Sequence, residues 1–354
     1  PDVVNSLNSL GTAMRFLGDY QSSELHYQRA LAIVQQTLDA DHPHAAATMH
    51  NLGSLFADQG DYDNARRYYQ QALTAFEKAL GPDHPNVATG LNNLGSILES
   101  MGDLDEAKTH YQRAIEIQEK TLGTEHPDLA TSLNGLGSVL QSMGDLDGAR
   151  LHHQQALAIR QEALGVEHPD VASSLNSLGT VFDSQEDYDN AKLYYQRALD
   201  IFEKVLGTDH PHVAICLNNL GGVSSNQGDY DNARLYHERA LAIQHKALDP
   251  DHPDIAYSLL GLATAALEGG APAAARAHAE RALSMREVTT ITPELLAKTR
   301  FVLARALWSE PSEQAQARSL AEQAQQTLAT ANDPSESDTD LDEVEAWLAT
   351  HHVK

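Results

Sequence analysis

Six Asp/Glu-His-Pro corners, at His42-Pro43, His84-Pro85, His126-Pro127, His168-Pro169, His210-Pro211 and His252-Pro253, set an imidazole beside a carboxylate once every 42 residues. Both groups ligate divalent ions. Each corner offers one imidazole, however, and a metal site needs several donors converging. The corner also has a conformational reading: Pro suits the first turn of a helix, where its missing N–H has no partner to lose, and the residue before it suits the cap. Capping is the expected role, with Asp41 or His42 as the cap of the second unit, and neither metal nor cofactor is expected. Cys216 is the only cysteine, so no intramolecular disulfide and no cysteine-only metal site can form. Between Ile215 and Leu217 it reads as a small buried hydrophobe. His152-His153 reads as packing or surface, and His351-His352 as a fraying tail. The chain has no phosphate-cradling glycine loop, no nucleophile elbow and no metalloprotease helix motif, so no enzyme is expected within it.

A second set of polar residues recurs with the same step. Asn8, His50, Asn92, Asn134, Asn176 and Asn218 stand two residues before successive Leu-Gly pairs, and Thr12, Ser54, Ser96, Ser138 and Thr180 follow four residues later, one helical turn along the same face. An asparagine amide donates and accepts together, so a ladder of them can hold an extended backbone whatever its side chains.

The elements that position these residues come from the repeat. A period between about 20 and 50 residues marks an array in which each unit stacks on its neighbours. In the stretch 41–80, Pro43 opens a helix with Met49, Leu52, Leu55 and Phe56 at helical spacing. Gly60 ends it and Asp61 caps a second helix over 62–80, with Ala65, Tyr69, Ala72, Leu73 and Phe76 on one face, closed by Gly81. The Leu-Gly landmarks are Leu10-Gly11, Leu52-Gly53, Leu94-Gly95, Leu136-Gly137, Leu178-Gly179 and Leu220-Gly221, with Leu262-Ala263 as the seventh. Glu186 replaces the corner glycine of its unit, and Gly148 inside a second helix costs about 1 kcal/mol relative to Ala.

Met49, Leu52-Gly53, Phe56, Ala65, Tyr69 and Ala72 resemble the tetratricopeptide repeat. The 42-residue length, the His-Pro corner and Leu91-Asn92-Asn93-Leu94-Gly95 are similar to its kinesin light chain branch. The resemblance implies an all-α, right-handed α-solenoid of helical hairpins: seven units over 1–285, a degenerate eighth over 286–331, and a polar linker with a C-terminal capping helix over 332–354. In the linker region Asn332 to Thr339 reads as loop and Asp340 to Thr350 as the cap, with Val344, Trp347 and Leu348 on one face. The resemblance also implies that first helices line a concave groove where peptides dock. It thereby makes Asn8, Thr12, His50, Ser54, Asn92, Ser96, Asn134, Ser138, Asn176, Thr180 and Asn218 the candidate binding residues, and the protein a cytoplasmic binding scaffold. Replacing Asn134 and Asn176 by Ala is expected to weaken ligand capture and leave stability nearly intact.

Charge narrows the partner. A net charge of −26 repels nucleic acid and anionic membranes, and no apolar run approaches the roughly 20 residues a membrane-spanning helix needs. The stripe carries almost no Lys or Arg, Arg15 excepted, while Glu99 and Asp183 favour a neutral or basic protein or peptide. Relatives that grip carboxylates or acidic peptides use basic grooves, so their ligands do not transfer. The start at Pro1, in mid-pattern and without Met, reads as a fragment or processed product. An alternative function is therefore the regulatory or sensor array of a larger signalling enzyme, such as a bacterial serine/threonine kinase or a nucleotide-binding ATPase. The stretch Arg300 to Trp308 and the closing Glu345-Ala346-Trp347-Leu348 look like the tail of such kinases. Self-association through an exposed first repeat is a further expectation.

Overall fold

A computed structural model describes residues 2–37, 42–287, 293–330 and 334–352, the side chains of 334–339 excepted. All regular structure among them is helical, and the chain divides into two compact units, Pro1–Val166 and Glu167–Lys354. The first holds four antiparallel hairpins: α1 (Asp2–Phe16) with α2 (Tyr20–Thr37), α3 (Pro43–Asp58) with α4 (Tyr62–Leu80), α5 (Pro85–Ser100) with α6 (Leu104–Leu122), and α7 (Pro127–Ser142) with α8 (Leu146–Leu164). The second holds α9 (Pro169–Ser184) with α10 (Tyr188–Leu206), α11 (Pro211–Asn226) with α12 (Tyr230–Ala247), α13 (Pro253–Glu268) with α14 (Pro272–Arg286), and α15 (Pro293–Leu307) with α16 (Gln314–Thr330), closed by α17 (Pro334–Thr350). Within each unit every second helix also packs on the first helix of the next hairpin, the arrangement of a helical solenoid.

Local chemistry explains the boundaries. All six corner histidines are N-caps with extended backbone, each Nδ1 accepting the N–H two residues on, as His42 does from His44 at 3.2 Å and His84 from Asn86 at 3.1 Å. The imidazole does the work that Ser or Asp does at an ordinary cap. Asp41, the other candidate for the second unit's cap, lies outside the described residues. At the hairpin tip Gly60 takes φ +73°, and Asp61 then accepts the Asn64 N–H at 3.1 Å to start α4. Glu186 takes the glycine's place at φ +59°, a conformation that L-residues adopt at some cost.

Each landmark glycine lies under an aromatic ring. A Cβ on Gly53 would come 2.7 Å from the Tyr69 ring, and one on Gly137 would come 2.7 Å from His153. Any larger residue would push the ring out of the hairpin. The contact between successive hairpins is specified by matched buried pairs 13 or 14 residues apart. Gln118 accepts from Ser132 and Gln244 from Ser258, while Arg286 donates to Thr299 at 2.6 Å. Burial pushes the Cys216 thiol up to about 12, which leaves it a packed hydrophobe and not a nucleophile.

The ends differ. In and just after α1, Val3 (60%), Leu10 (40%), Phe16 (79%) and Leu17 (78%) are exposed, although the counterparts of Leu10 in the same unit, Leu52, Leu94 and Leu136, are buried. At the other end α17 buries Val344 and Leu348 against Phe301, Leu307 and Leu328. Trp347 meets Phe301 and Trp308 edge-on, and His351 stacks on Trp347 at 4.3 Å. Two expectations are corrected here. The helix begins at Pro334 and not at Asp340, because Pro suits a first helical position and Glu336 and Asp338 suit its positive end; residues 331–333 lie outside the description. His351, expected in a fraying tail, is anchored by its tryptophan.

Candidate peptide-binding stripe

In the first unit the stripe runs over α1, α3, α5 and α7, where its asparagines and His50 are half-buried. On α1, Asn8 Nδ2 donates to Thr48 Oγ1 at 2.9 Å, and its buried Oδ1 receives no donor. Thr12 Oγ1 lies 2.9 Å from the Tyr27 hydroxyl, and Arg15 pairs with Asp58 at 3.4 Å. On α3 the His50 ring lies 5.4 Å from Tyr69 and bonds Asn93, and burial lowers its pKa. The Tyr69 hydroxyl donates to Ser54 Oγ at 3.0 Å. A cavity of about 180 Å³ beside it is lined by Ala47, His50, Asn51, Phe76, Asn86 and Thr89.

On α5, Asn92 Oδ1 is again buried without a donor, Ser96 is exposed, and the Tyr111 hydroxyl donates to Glu99 at 3.5 Å. Burial pushes the Glu99 carboxyl up to about 7, against the opposing pull of that hydrogen bond. On α7 the pattern changes. His153 Nδ1 donates to Asn134 Oδ1 at 2.9 Å, and burial pulls the imidazole down to about 4. Ser138 Oγ donates to its own helix, to Asn134 O at 3.2 Å.

In the second unit, Asn176 Oδ1 on α9 accepts from Asn219 Nδ2 at 3.0 Å, and Thr180 Oγ1 donates to Ser177 O at 2.7 Å. Asp183 accepts from Asn226 at 3.5 Å, and burial raises its pKa. On α11, Asn218 Oδ1 accepts from His237 Nδ1 at 3.0 Å and lies 2.9 Å from Ser258 Oγ; burial holds His237 at about 4.

The family model described as tetratricopeptide repeat matches residues 2–78, 46–120, 86–162, 128–204, 185–244 and 217–287. The chain belongs to the tetratricopeptide repeat family. BtubC (BKLC) from P. vanneervenii has a similar crystal structure over 68% of this chain and 91% of its own, with TM-score 0.51 and 24% identity. The putative kinesin light chain of Podosopora anserina, with nearly identical TPR-like repeats, is similar over 57% of this chain and 96% of its own, with TM-score 0.51 and 24% identity. A Rap protein complexed with Competence and Sporulation Factor covers 99% of both chains, with TM-score 0.62 and 14% identity. At such identities the likeness is one of fold. No curated protein matches the chain. Among the described residues no helix is long and apolar enough to cross a membrane, and no group of three or more His, Cys, Asp or Glu side chains gathers as for a metal.

Within this tetratricopeptide array the structure brings the eleven sequence-identified residues onto the first helices of their own units, unit by unit, and ties several into internal hydrogen bonds. Asn134 and Asn176 are both engaged through Oδ1, so the expectation that their loss leaves stability intact does not follow. Sequence reading passed over Asn51, which lines the cavity, and Asn93 and Asn219, which bond the ladder residue of the preceding hairpin. For Asn93 and Asn219 the signal was the doubled asparagine of the Leu-Asn-Asn-Leu-Gly landmark. It also passed over the ring opposite each glycine, which bonds the ladder amide where it is a histidine.

Proposed function

We propose that the array is a binding scaffold that captures an extended or helical protein segment along its first helices without covalent chemistry. Tetratricopeptide repeats typically mediate protein–protein interaction, and a Rap protein of like fold is seen complexed with Competence and Sporulation Factor. The observation that carries the reading is the pair of buried, donor-less acceptors at Asn8 Oδ1 and Asn92 Oδ1 on a half-exposed polar stripe. A buried acceptor left unpaired costs about 1–3 kcal/mol, and turning the amide outward lets an extended backbone supply the N–H that relieves it. Ser and Thr hydroxyls one turn on hold the same backbone, and the cavity beside His50 takes a side chain. The partner is neutral or basic, given the net charge of −26 and a stripe whose one arginine, Arg15, is paired.

A proteome-derived peptide array probed with the protein at low and high salt tests the reading. Retained peptides should share a basic or neutral motif, and Asn92→Ala should weaken their capture about tenfold. Capture indifferent to Asn92→Ala, or no retained peptide, contradicts it.

A further inference from the structure

Glu99 stands two turns after Asn92 on α5, with Ser96 between them on the same face. Its carboxylate is half-buried, and the Tyr111 hydroxyl of α6, 3.5 Å away, is the one group seen to donate to it. No cation acts on it among the described residues, and its affinity for a proton is raised by burial alone. Four basic side chains of the unit are committed elsewhere. Arg15 holds Asp58, Arg66 holds Asp103 and Glu106, Arg113 holds Glu77, and Lys120 holds Asp83. A desolvated carboxylate without a counter-ion is a costly arrangement that a ligand cation converts into a charge-assisted hydrogen bond.

The surroundings fit that conversion. Two turns earlier Asn92 Oδ1 is a second buried acceptor without a donor, so this face of α5 presents acceptance where a basic peptide presents donors. The position recurs along the chain as Arg15, Ala57, Glu99 and Gln141 in the first unit, and as Asp183, Ser225 and Leu267 in the second. Two of these seven are carboxylates, one in each unit. Asp183 repeats the environment: half-buried, raised by burial, with one amide hydrogen bond from Asn226 at 3.5 Å.

We propose that Glu99, backed by Tyr111, is the subsite at which the first unit reads a lysine or arginine side chain of its bound segment, and that Asp183 is the corresponding subsite of the second. The ammonium or guanidinium pairs with the carboxylate while Asn92 Oδ1 takes a backbone N–H of the same segment. This rests on the peptide-binding reading above and gives it a specificity.

The test is a double-mutant cycle on peptides retained by the array. Each Lys is replaced by norleucine and each Arg by citrulline, and affinities are measured for the native protein and for the isosteric Glu99→Gln variant, whose folding is checked by its thermal melt. One replacement should weaken binding to the native protein by at least about tenfold, and the same replacement should be nearly silent against Glu99→Gln. Equal losses against both proteins overturn the subsite, as do retained peptides without any cation. The two readings separate through Asn92→Ala: if it weakens capture while the Glu99 cycle is silent, the stripe stands and the subsite falls. If Asn92→Ala also has no effect, both fall.

Discussion

The hairpin of α5 and α6 and the hairpin of α7 and α8 share helix lengths, a histidine N-cap, a landmark glycine and a ladder asparagine, and carry different rings opposite that glycine. In the first, Tyr111 reaches past Asn92 to Glu99, and Asn92 Oδ1 is left without a donor; in the second, the shorter His153 stops at Asn134 and occupies its Oδ1. Tyr27 repeats the first case, reaching Thr12 while Asn8 Oδ1 stays open, and His237 repeats the second with Asn218. A histidine opposite the glycine thus commits the ladder asparagine to the fold, whereas a tyrosine leaves it open unless, as at Asn176 opposite Tyr195, a neighbouring asparagine takes its place.

Four experiments break or sharpen that comparison, from the largest effect down. His153 and His237 are buried neutral with pKa values pulled down to about 4, so between pH 6.5 and pH 4 the unfolded chain binds protons that the native chain refuses. Stability therefore falls as pH falls through that window, by roughly 3 kcal/mol per ring. Denaturant unfolding at pH 7 and pH 4.5 should show His153→Tyr with His237→Tyr to be less acid-sensitive than the native protein; an unchanged pH slope contradicts it. Next, Asn134→Ala strands the buried His153 N–H and should cost about 1–3 kcal/mol, whereas Asn92→Ala removes an unpaired acceptor and should cost nothing measurable. Equal losses would erase the distinction between the hairpins. Third, His84→Ala and His126→Ala each delete a cap and should each cost about 1 kcal/mol, showing that the scaffold beneath the two rings is the same. Smallest of all, Tyr111→Phe removes the hydrogen bond that opposes burial and should raise the Glu99 pKa above about 7, read by carbon NMR of the carboxyl; a fall contradicts the assignment.

The hairpins were legible because their determinants are local and periodic: Pro at a first turn, glycine at a left-handed tip, alanine and glycine where helices approach. The start of α17 was misread because Asn332 to Thr339 has a loop-like composition, whereas Pro334 and the acids after it favour a helix start. The stripe itself was found from the Leu-Gly landmarks. Which of its amides are engaged was not, since Asn92 and Asn134 look alike in sequence and differ by how far a ring on another helix extends. His153 was read only as packing or surface, and its consequence needs the hydrogen bond to Asn134 to be seen. Asn93 and Asn219 were hidden for a similar reason, as their bonds cross from one hairpin to the one before.

The most direct test of ring control is to measure affinity for one array-retained peptide and denaturant stability side by side in Asn92→Ala and Asn134→Ala. Affinity should fall about tenfold in Asn92→Ala with stability unchanged, while Asn134→Ala should lose stability. An Asn92→Ala protein that binds as the native one does but unfolds more readily would contradict the account, and would return its asparagine to the fold.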